Sequence, residues 1–147
     1  GPEIWKQTGG KVTHVFASLG TCGTVTGLSE FLKKKNPAIK VIAVQPSAGH
    51  DVPGLRNTSE LDVSKLFDPS KIDEMIEHEK AYTVAMELAR GEGLLAGPSS
   101  GLIFEGARRV LQRDTPKEGV GVAIFCDNVF KYMSNMVKHI PSLAVEE

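Results

Sequence analysis

The sequence has no apolar run close to the roughly 20 residues that a membrane-spanning helix needs. It has no excess of one charge either, because 17 basic residues stand against 18 acidic ones, for a formal net charge of -1. This balance argues against nucleic acid or a membrane surface as a partner. No basic segment followed by an apolar one opens the sequence, so we expect a cytoplasmic protein.

Cysteine and histidine are scarce and scattered. Cys22 and Cys126 lie far apart, and neither belongs to a CxxC pair. The four histidines show no HxxxH or HxxE spacing. These patterns argue against a disulfide framework and against a metal site.

Strand-length apolar segments alternate with stretches of helical period, which predicts an α/β domain with a parallel sheet. A chain of 147 residues, 41% of them hydrophobic, has room for one such domain. The predicted strands are Val12–Ser18, Lys40–Gln45, Ile72–Glu77 and Gly121–Cys126. The predicted helices are Thr24–Lys35, Glu79–Glu92 and Gly101–Arg113, with a helical first turn at Pro2–Lys6 and a strand-like piece in LLAGPSSG at 94–101. Residues 46–71 show no sustained period and predict a long loop with one helical turn, which favours a functional role.

The segment VTHVFASLGTCGTVTG at 12–27 predicts a strand that enters a glycine-rich turn and then a helix. We expect Gly20 and Gly23 to adopt backbone angles closed to other residues, so that successive N–H groups face one anion. Thr21 and Thr24 add hydroxyl donors, and the positive end of the helix points at the same place. The alternative is a turn that only connects the two elements.

The spacing of the glycines and the residues beside them limits which phosphate ligand fits this turn. No lysine follows the second glycine, as a Walker A loop requires. Gly20, Gly23 and Gly27 form GxxGxxxG rather than GxGxxG, and no acidic residue ends the next strand. A small phosphomonoester is therefore the favoured ligand.

Five segments carry a family resemblance. They are GPEIW at 1–5, GTCGTVTG at 20–27, VQP at 44–46, EGLLAGPSSG at 92–101 and CDNVFKYMSN at 126–135. In this order and spacing, they resemble the C-terminal half of cysteine synthase (O-acetylserine sulfhydrylase) and of its relative cystathionine β-synthase. The resemblance implies a three-layer parallel-sheet domain of the tryptophan synthase β-like fold, fold type II, with pyridoxal 5′-phosphate as cofactor.

The resemblance also implies roles for particular residues. Gly20, Thr21, Cys22, Gly23 and Thr24 would surround the cofactor's 5′-phosphate. Ser99 would meet the pyridine nitrogen, where a hydroxyl leaves the ring closer to neutral than a carboxylate would. The alternative is that Ser99 and Ser100 cap the following helix.

The resemblance also bears on three further positions. Asp127 matches the aspartate of a motif near the pyridine end of the cofactor, and its alternative role is a helix N-cap. Gly54 would meet the substrate at the mouth of the site, where His50 is expected to be a loop residue rather than an acid or base. Cys22 replaces the usual glycine, either as a tolerated small residue or as a thiol with a lowered pKa at a helix N-terminus.

The family's cofactor-linking lysine and its asparagine-containing loops have no counterpart in this sequence. We therefore expect residues 1–147 to be the C-terminal, cofactor-binding part of a larger two-domain enzyme, inactive alone, with the N-terminal half absent. The expected reaction is formation of L-cysteine from an activated serine, such as O-acetylserine, and sulfide, by a homodimer. Cystathionine β-synthase activity and a non-catalytic module that binds phosphate ligands are the alternatives.

Overall fold

The computed structural model of the chain describes residues 1–20, 22–59, 67–115 and 118–144. The helices are α1 (Pro2–Gln7), α2 (Gly23–Lys35), α3 (Ala81–Glu92), α4 (Pro98–Asp114) and α5 (Met133–His139), and the strands are β1 (His14–Ser18), β2 (Lys40–Pro46), β3 (Glu74–His78) and β4 (Gly121–Ala123). No helix within these ranges is long and apolar enough to cross a membrane.

The four strands form one parallel sheet in the order β3-β2-β1-β4. Phe16 pairs with Ile42 on one side and with Ala123 on the other. The predicted strands are confirmed, with shifted ends. β4 stops at Ala123 rather than Cys126, although Ile124 N–H still donates to the Phe16 carbonyl at 3.0 Å. Beyond that bond the chain leaves the sheet toward Ala96, which pairs antiparallel with Asn128. The strand-like segment predicted at LLAG therefore forms this β-bridge rather than a strand of the sheet.

The side chains of β1 and β2 alternate between two separate cores, as a period of two requires. Phe16, Ile42 and Val44 pack with Leu102 and Ile103 on the side of α3 and α4. Val15, Ala17, Val41 and Ala43 pack with Leu32 on the side of α2. The molecule is therefore a three-layer α/β domain, as predicted.

Helix α4 begins three residues earlier than predicted. Proline suits the first helical position because it has no N–H to leave unpaired there. The Gly97 carbonyl accepts bonds from Ser100 N–H at 3.0 Å and from Gly101 N–H at 3.2 Å, which closes the first turn. Ser99 consequently lies in the first turn of α4 rather than in a loop.

The long connection after β2 is anchored to the body of the domain at three of its described residues. Val52 and Leu55 are buried in the core beneath α3 and α4. Asn57 is buried and donates to the Pro46 carbonyl at 2.8 Å. One helical turn, at Pro69–Lys71, matches the prediction. Residues 60–66 of the predicted loop lie outside the described residues.

Candidate functional site

The turn between β1 and α2 is built differently from the prediction. The left-handed residue is Cys22, with a φ of 67°, whereas Gly23 already belongs to the helix and Gly20 has no positive φ. The prediction that Gly20 and Gly23 provide the unusual backbone angles is therefore wrong. A cysteine in this conformation is strained, because its Cβ crowds the backbone. Thr21 lies outside the described residues.

The N-terminus of α2 is suited to an anion. Cys22 is its N-cap residue and makes no side-chain cap, and the first turn contains no acidic residue. The first N–H groups of a helix have no partner within the helix, so those of Gly23 and Thr24 are free of intrahelical bonds. Together with the helix dipole and the Thr24 hydroxyl, they form a donor set for a phosphate.

The Cys22 thiol is buried, at 4% exposure, and lies 3.6 Å from the Gly20 carbonyl. Burial raises the pKa of this thiol. The alternative of a lowered thiol pKa at the helix N-terminus is therefore contradicted, and a tolerated small side chain is the interpretation that fits.

Gly54 approaches the phosphate turn directly. Its φ is 81°, and its carbonyl oxygen lies 3.2 Å from the place where a side-chain Cβ on Gly20 would be. Gly20 is thus required for close approach of two backbones rather than for its φ angle. The expected contact of Gly54 with the substrate stays a prediction.

Ser99 and Asp127 lie on the two segments that the bridge between Ala96 and Asn128 joins. Gly97 N–H donates to the Asp127 carbonyl at 3.0 Å, and Gly97 is the N-cap residue of α4. Gly97 has no side chain to cap this helix end, Ser99 and Ser100 lie inside the helix, and Ser100 Oγ has no hydrogen-bond partner among the described residues, so the suggestion that these serines are the cap is wrong. The residue that caps the turn Val129–Tyr132 is Asn128, whose side chain accepts from Phe130 N–H at 3.1 Å, and not Asp127.

A hydrogen bond of 2.5 Å joins the Tyr132 hydroxyl to Oδ2 of Asp127. This bond to a carboxylate, with partial burial, raises the pKa of Tyr132 to about 12. Lys131 Nζ lies 3.9 Å from the same oxygen, but its side chain is 68% exposed. Oδ1 of Asp127 is buried and has no hydrogen-bond partner among the described residues.

These segments enclose one cavity of about 250 Å³ at the carboxyl edge of the sheet. This is where open parallel sheets bind ligands. Its described lining is Ser18, Gly20, Cys22, Thr24, Pro53, Gly54, Leu55, Ser99, Cys126, Asp127 and Tyr132. The structure therefore brings together most of the predicted site residues, with Gly23 at the adjoining helix start.

Ser18, Cys126 and Tyr132 line the cavity but were not among the predicted site residues. Ser18 could have been found as the last residue of a predicted strand, and Cys126 and Tyr132 lie inside the matched segment at 126–135. His50 borders a neighbouring cavity instead, with Asp51 and Arg56. This placement agrees with its expected role as a loop residue.

Comparisons with known proteins show which family this chain is similar to. The family model described as "Pyridoxal-phosphate dependent enzyme" matches residues 1–127. Cysteine synthase B of Pseudomonas aeruginosa is 40% identical over 139 residues, covering 93% of this chain and 46% of the relative. Cystathionine beta-synthase of Apis mellifera is 33% identical over 148 residues, covering 92% of this chain and 29% of the relative. The solved structure of O-acetylserine sulfhydrylase isoform 3 from Entamoeba histolytica has a TM-score of 0.80 at 28% identity, covering 99% of this chain and 45% of that one.

The chain belongs to the pyridoxal-phosphate dependent enzymes. The resemblance to cysteine synthase and cystathionine β-synthase is confirmed, and so is the fold class. Pyridoxal phosphate is the cofactor of this family. The chain spans less than half the length of the curated relatives described above.

The residues present fit this cofactor. One end of the cavity offers N–H and hydroxyl donors with no acidic side chain in the first turn of the helix, as a phosphate needs. The other end offers the Ser99 hydroxyl and the Asp127 carboxylate, which are polar partners for a heteroaromatic ring. Gly20 and Gly54 line the same cavity and bring no side chain into it.

Proposed function

We propose that this chain forms the cofactor-binding part of an enzyme that makes L-cysteine from an activated serine, such as O-acetylserine, and sulfide. The observation that carries the proposal is the single cavity in which Gly20, Thr24, Ser99 and Asp127 lie together. The 40% identity to a cysteine synthase B supports this reaction.

The phosphate end of the cavity would anchor the cofactor. The N–H groups at the start of α2 and the Thr24 hydroxyl would donate to the phosphate, and the helix dipole would favour its negative charge. No lysine, arginine or histidine is among the described lining residues, so this anchoring would depend on backbone donors and hydroxyl groups.

At the other end, Ser99 would meet the pyridine nitrogen. When bound, the cofactor draws electrons from the substrate's α-carbon through its ring. A hydroxyl partner does not hold the ring nitrogen protonated as a carboxylate would, so Ser99 would moderate this withdrawal. A moderated withdrawal suits loss of a β-substituent and its replacement by sulfur.

The loop that carries Gly54 would form part of the substrate entrance. A hydrogen bond holds this loop, because the Tyr82 hydroxyl donates to the Asp51 carbonyl at 3.1 Å. The Tyr82 ring in turn stacks on His139 of α5, with 4.0 Å between ring centroids. These contacts would hold Gly54 near the cavity while leaving its backbone available to a substrate.

The lysine that binds the cofactor covalently and acts as base would come from a part of the enzyme beyond these 147 residues. We therefore expect this chain to be inactive alone. The resemblance to cysteine synthase further suggests a cytoplasmic homodimer.

Two alternatives differ in specificity or in class. Cystathionine β-synthase activity is favoured by the segment CDNVFKYMSN and by the 33% identity to the Apis mellifera enzyme. A non-catalytic module would keep the cavity but serve only to bind a phosphate ligand. That module is favoured by the absence of lysine from the described lining.

The test uses the full-length product of the gene that encodes this chain. With O-acetylserine and sulfide, we expect sulfide-dependent formation of cysteine that is faster than formation of cystathionine from serine and homocysteine. Faster formation of cystathionine would favour the first alternative. Absence of both activities, with the phosphate ligand still bound, would favour the binding module.

A matched pair of serine variants tests the assigned site in that full-length protein. Ser99→Ala removes the hydroxyl at the proposed ring end, and we expect kcat/KM to fall roughly tenfold or more, the scale of one lost hydrogen bond in a polar site. Ser142→Ala, on an exposed turn away from the cavity, should leave kcat/KM unchanged. Equal values for the two variants would contradict the role of Ser99.

A further inference from the structure

The first observation is the short bond between Tyr132 and Asp127. At 2.5 Å, the bond from the Tyr132 hydroxyl to Oδ2 is at the short limit for a hydroxyl donating to a carboxylate. Both residues line the cavity. Such a bond restricts the rotation of the carboxylate, so the other oxygen is directed as well.

The second observation is that the other carboxylate oxygen, Oδ1 of Asp127, lies against Gly97. A Cβ built on Gly97 would lie 2.3 Å from Oδ1 of Asp127 and 3.1 Å from Cε2 of Tyr132. The space that a side chain at Gly97 would occupy is therefore filled by the carboxylate and the tyrosine ring. Gly97 N–H also donates to the Asp127 carbonyl at 3.0 Å, so the two backbones are joined at the same place.

The third observation concerns the helix that follows. Gly97 is the N-cap residue of α4 and has no side chain to cap that end, and Ser99 is in the first turn. The buried Oδ1 has no hydrogen-bond partner among the described residues, yet it lies beside this helix N-terminus. A carboxylate there is favoured by the helix dipole.

We propose that Tyr132 is a positioning residue for Ser99: its hydroxyl holds the Asp127 carboxylate against Gly97, which fixes the first turn of α4 and the Ser99 hydroxyl at one end of the cavity. This inference rests on the proposed function, because Ser99 is taken there as the partner of the cofactor ring. Tyr132 acts through Asp127 and Gly97 and makes no contact of its own with the reacting atoms.

The test measures binding of two probes, pyridoxal 5′-phosphate and inorganic phosphate, to the cofactor-free, full-length product of the gene that encodes this chain. Tyr132→Phe keeps the ring and removes only the hydroxyl. We expect affinity for pyridoxal phosphate to fall roughly five- to tenfold, as for loss of one charge-assisted hydrogen bond that acts indirectly. Affinity for inorganic phosphate should not change, because that probe uses only the α2 end of the cavity.

Two further variants separate positioning from general loss of structure. In a Ser99→Ala background, Tyr132→Phe should cause no further loss of affinity for pyridoxal phosphate, since Tyr132 would then have no hydroxyl to position. Gly97→Ala should reproduce the selective loss, because its Cβ would displace the carboxylate from the opposite side. Lys131→Gln is the control, since this exposed side chain approaches the same carboxylate only to 3.9 Å, and it should change affinity less than twofold, roughly the effect of an exposed ion pair.

Each outcome has one meaning. An unchanged affinity in Tyr132→Phe, an equal loss for both probes, or an additive loss in the Ser99→Ala background would overturn the positioning role and leave the proposed function standing. A wild-type full-length protein that binds neither probe would overturn the proposed function and this inference with it.

Discussion

At the scale of single residues, Cys22 is the feature that departs most from the expected design. It is the non-glycine residue with positive φ in the described part of the chain, and it lies in the phosphate turn, where strain has a functional context. Its buried thiol contributes to the core on the α2 side of the sheet. The family resemblance indicates that Cys22 replaces a glycine. It does not indicate that residue 22, rather than Gly20 or Gly23, needs the left-handed conformation.

We predict that Cys22→Gly is more stable than Cys22→Ala. Both changes remove the thiol, but only glycine relieves the left-handed backbone, which is worth roughly 1–2 kcal/mol. The measurement is the free energy of unfolding of each variant in urea. An alanine variant as stable as the glycine variant would show that residue 22 does not hold a positive φ in solution.

At the scale of elements, the close packing of α3 on α4 places the first turn of α4 beside the cavity. A Cβ on Gly101 would lie 2.2 Å from the Ala81 carbonyl oxygen and 2.6 Å from the Ala85 nitrogen. Both neighbours are backbone atoms of α3, which cannot rotate away as a side chain would.

Two glycine-to-alanine changes should therefore have opposite effects. Gly101→Ala should lower the free energy of unfolding by about 3 kcal/mol, at the upper end of the cost of overpacking. Gly91→Ala, in α3 with open space around its Cβ, should raise it by roughly 0.5–1 kcal/mol through helix propensity. Chemical denaturation of both variants checks the pair, and a mild effect at Gly101 would contradict the close packing of the helices.

A buried contact between two titratable side chains joins the end of β3 to α4. His78 Nε2 lies 3.3 Å from Oε1 of Glu105, and both side chains are 4% exposed. Burial, and then the positive charge of Arg109, lower the pKa of His78. Burial alone would raise the pKa of Glu105, but bonds from Arg109 and the charge of Arg108 outweigh it and hold that pKa below its usual value.

The sign of the resulting pH dependence follows from the lowered pKa of His78. The unfolded chain binds the proton more readily, so stability should fall as the pH drops below about 6.5, the ordinary pKa of histidine, with a slope of at most about 1.4 kcal/mol per pH unit. His78→Asn, whose Oδ1 could still accept from Lys80 N–H, should lose this dependence. His139→Asn, at the exposed end of α5, should keep it.

Urea unfolding at several values between pH 7 and pH 5 gives this slope for each protein. Identical slopes for the wild type and His78→Asn would show that the buried pair does not sense pH. The comparison concerns slopes only, so any constant difference in stability between the variants does not affect it.

The sequence predicted these elements well where local patterns determine them, and less well where contacts between distant segments do. The strands β1 and β2 follow from their apolar runs, and α2 from its caps and period. The start of α4 was misplaced because GPSSG resembles a loop until its carbonyl bonds and its packing on α3 are known. Helix α5 was not predicted, since Met133–His139 is a short helix.

At the scale of the whole molecule, the described lining of the cavity comes from four segments that are distant in sequence and meet at one edge of the sheet. Gly20, Ser99 and Asp127 were predicted to share a site from the family resemblance, and the structure places them around one cavity. Ser18 ends a predicted strand and Tyr132 lies in a matched segment, but the sequence did not show that they share the cavity, because the parallel pairing of β1 with β4 brings residues 18 and 126–132 together.

The measurement that tests this account most directly is a calorimetric titration of the cofactor-free, full-length product of the gene that encodes this chain with pyridoxal 5′-phosphate and, separately, with pyridoxal. The account predicts saturable binding of one pyridoxal phosphate per chain, competition by inorganic phosphate, and binding of pyridoxal at least about tenfold weaker, since the donors at the start of α2 would then have no phosphate to hold. Equal affinity for the two compounds, or no binding of pyridoxal phosphate, would contradict it.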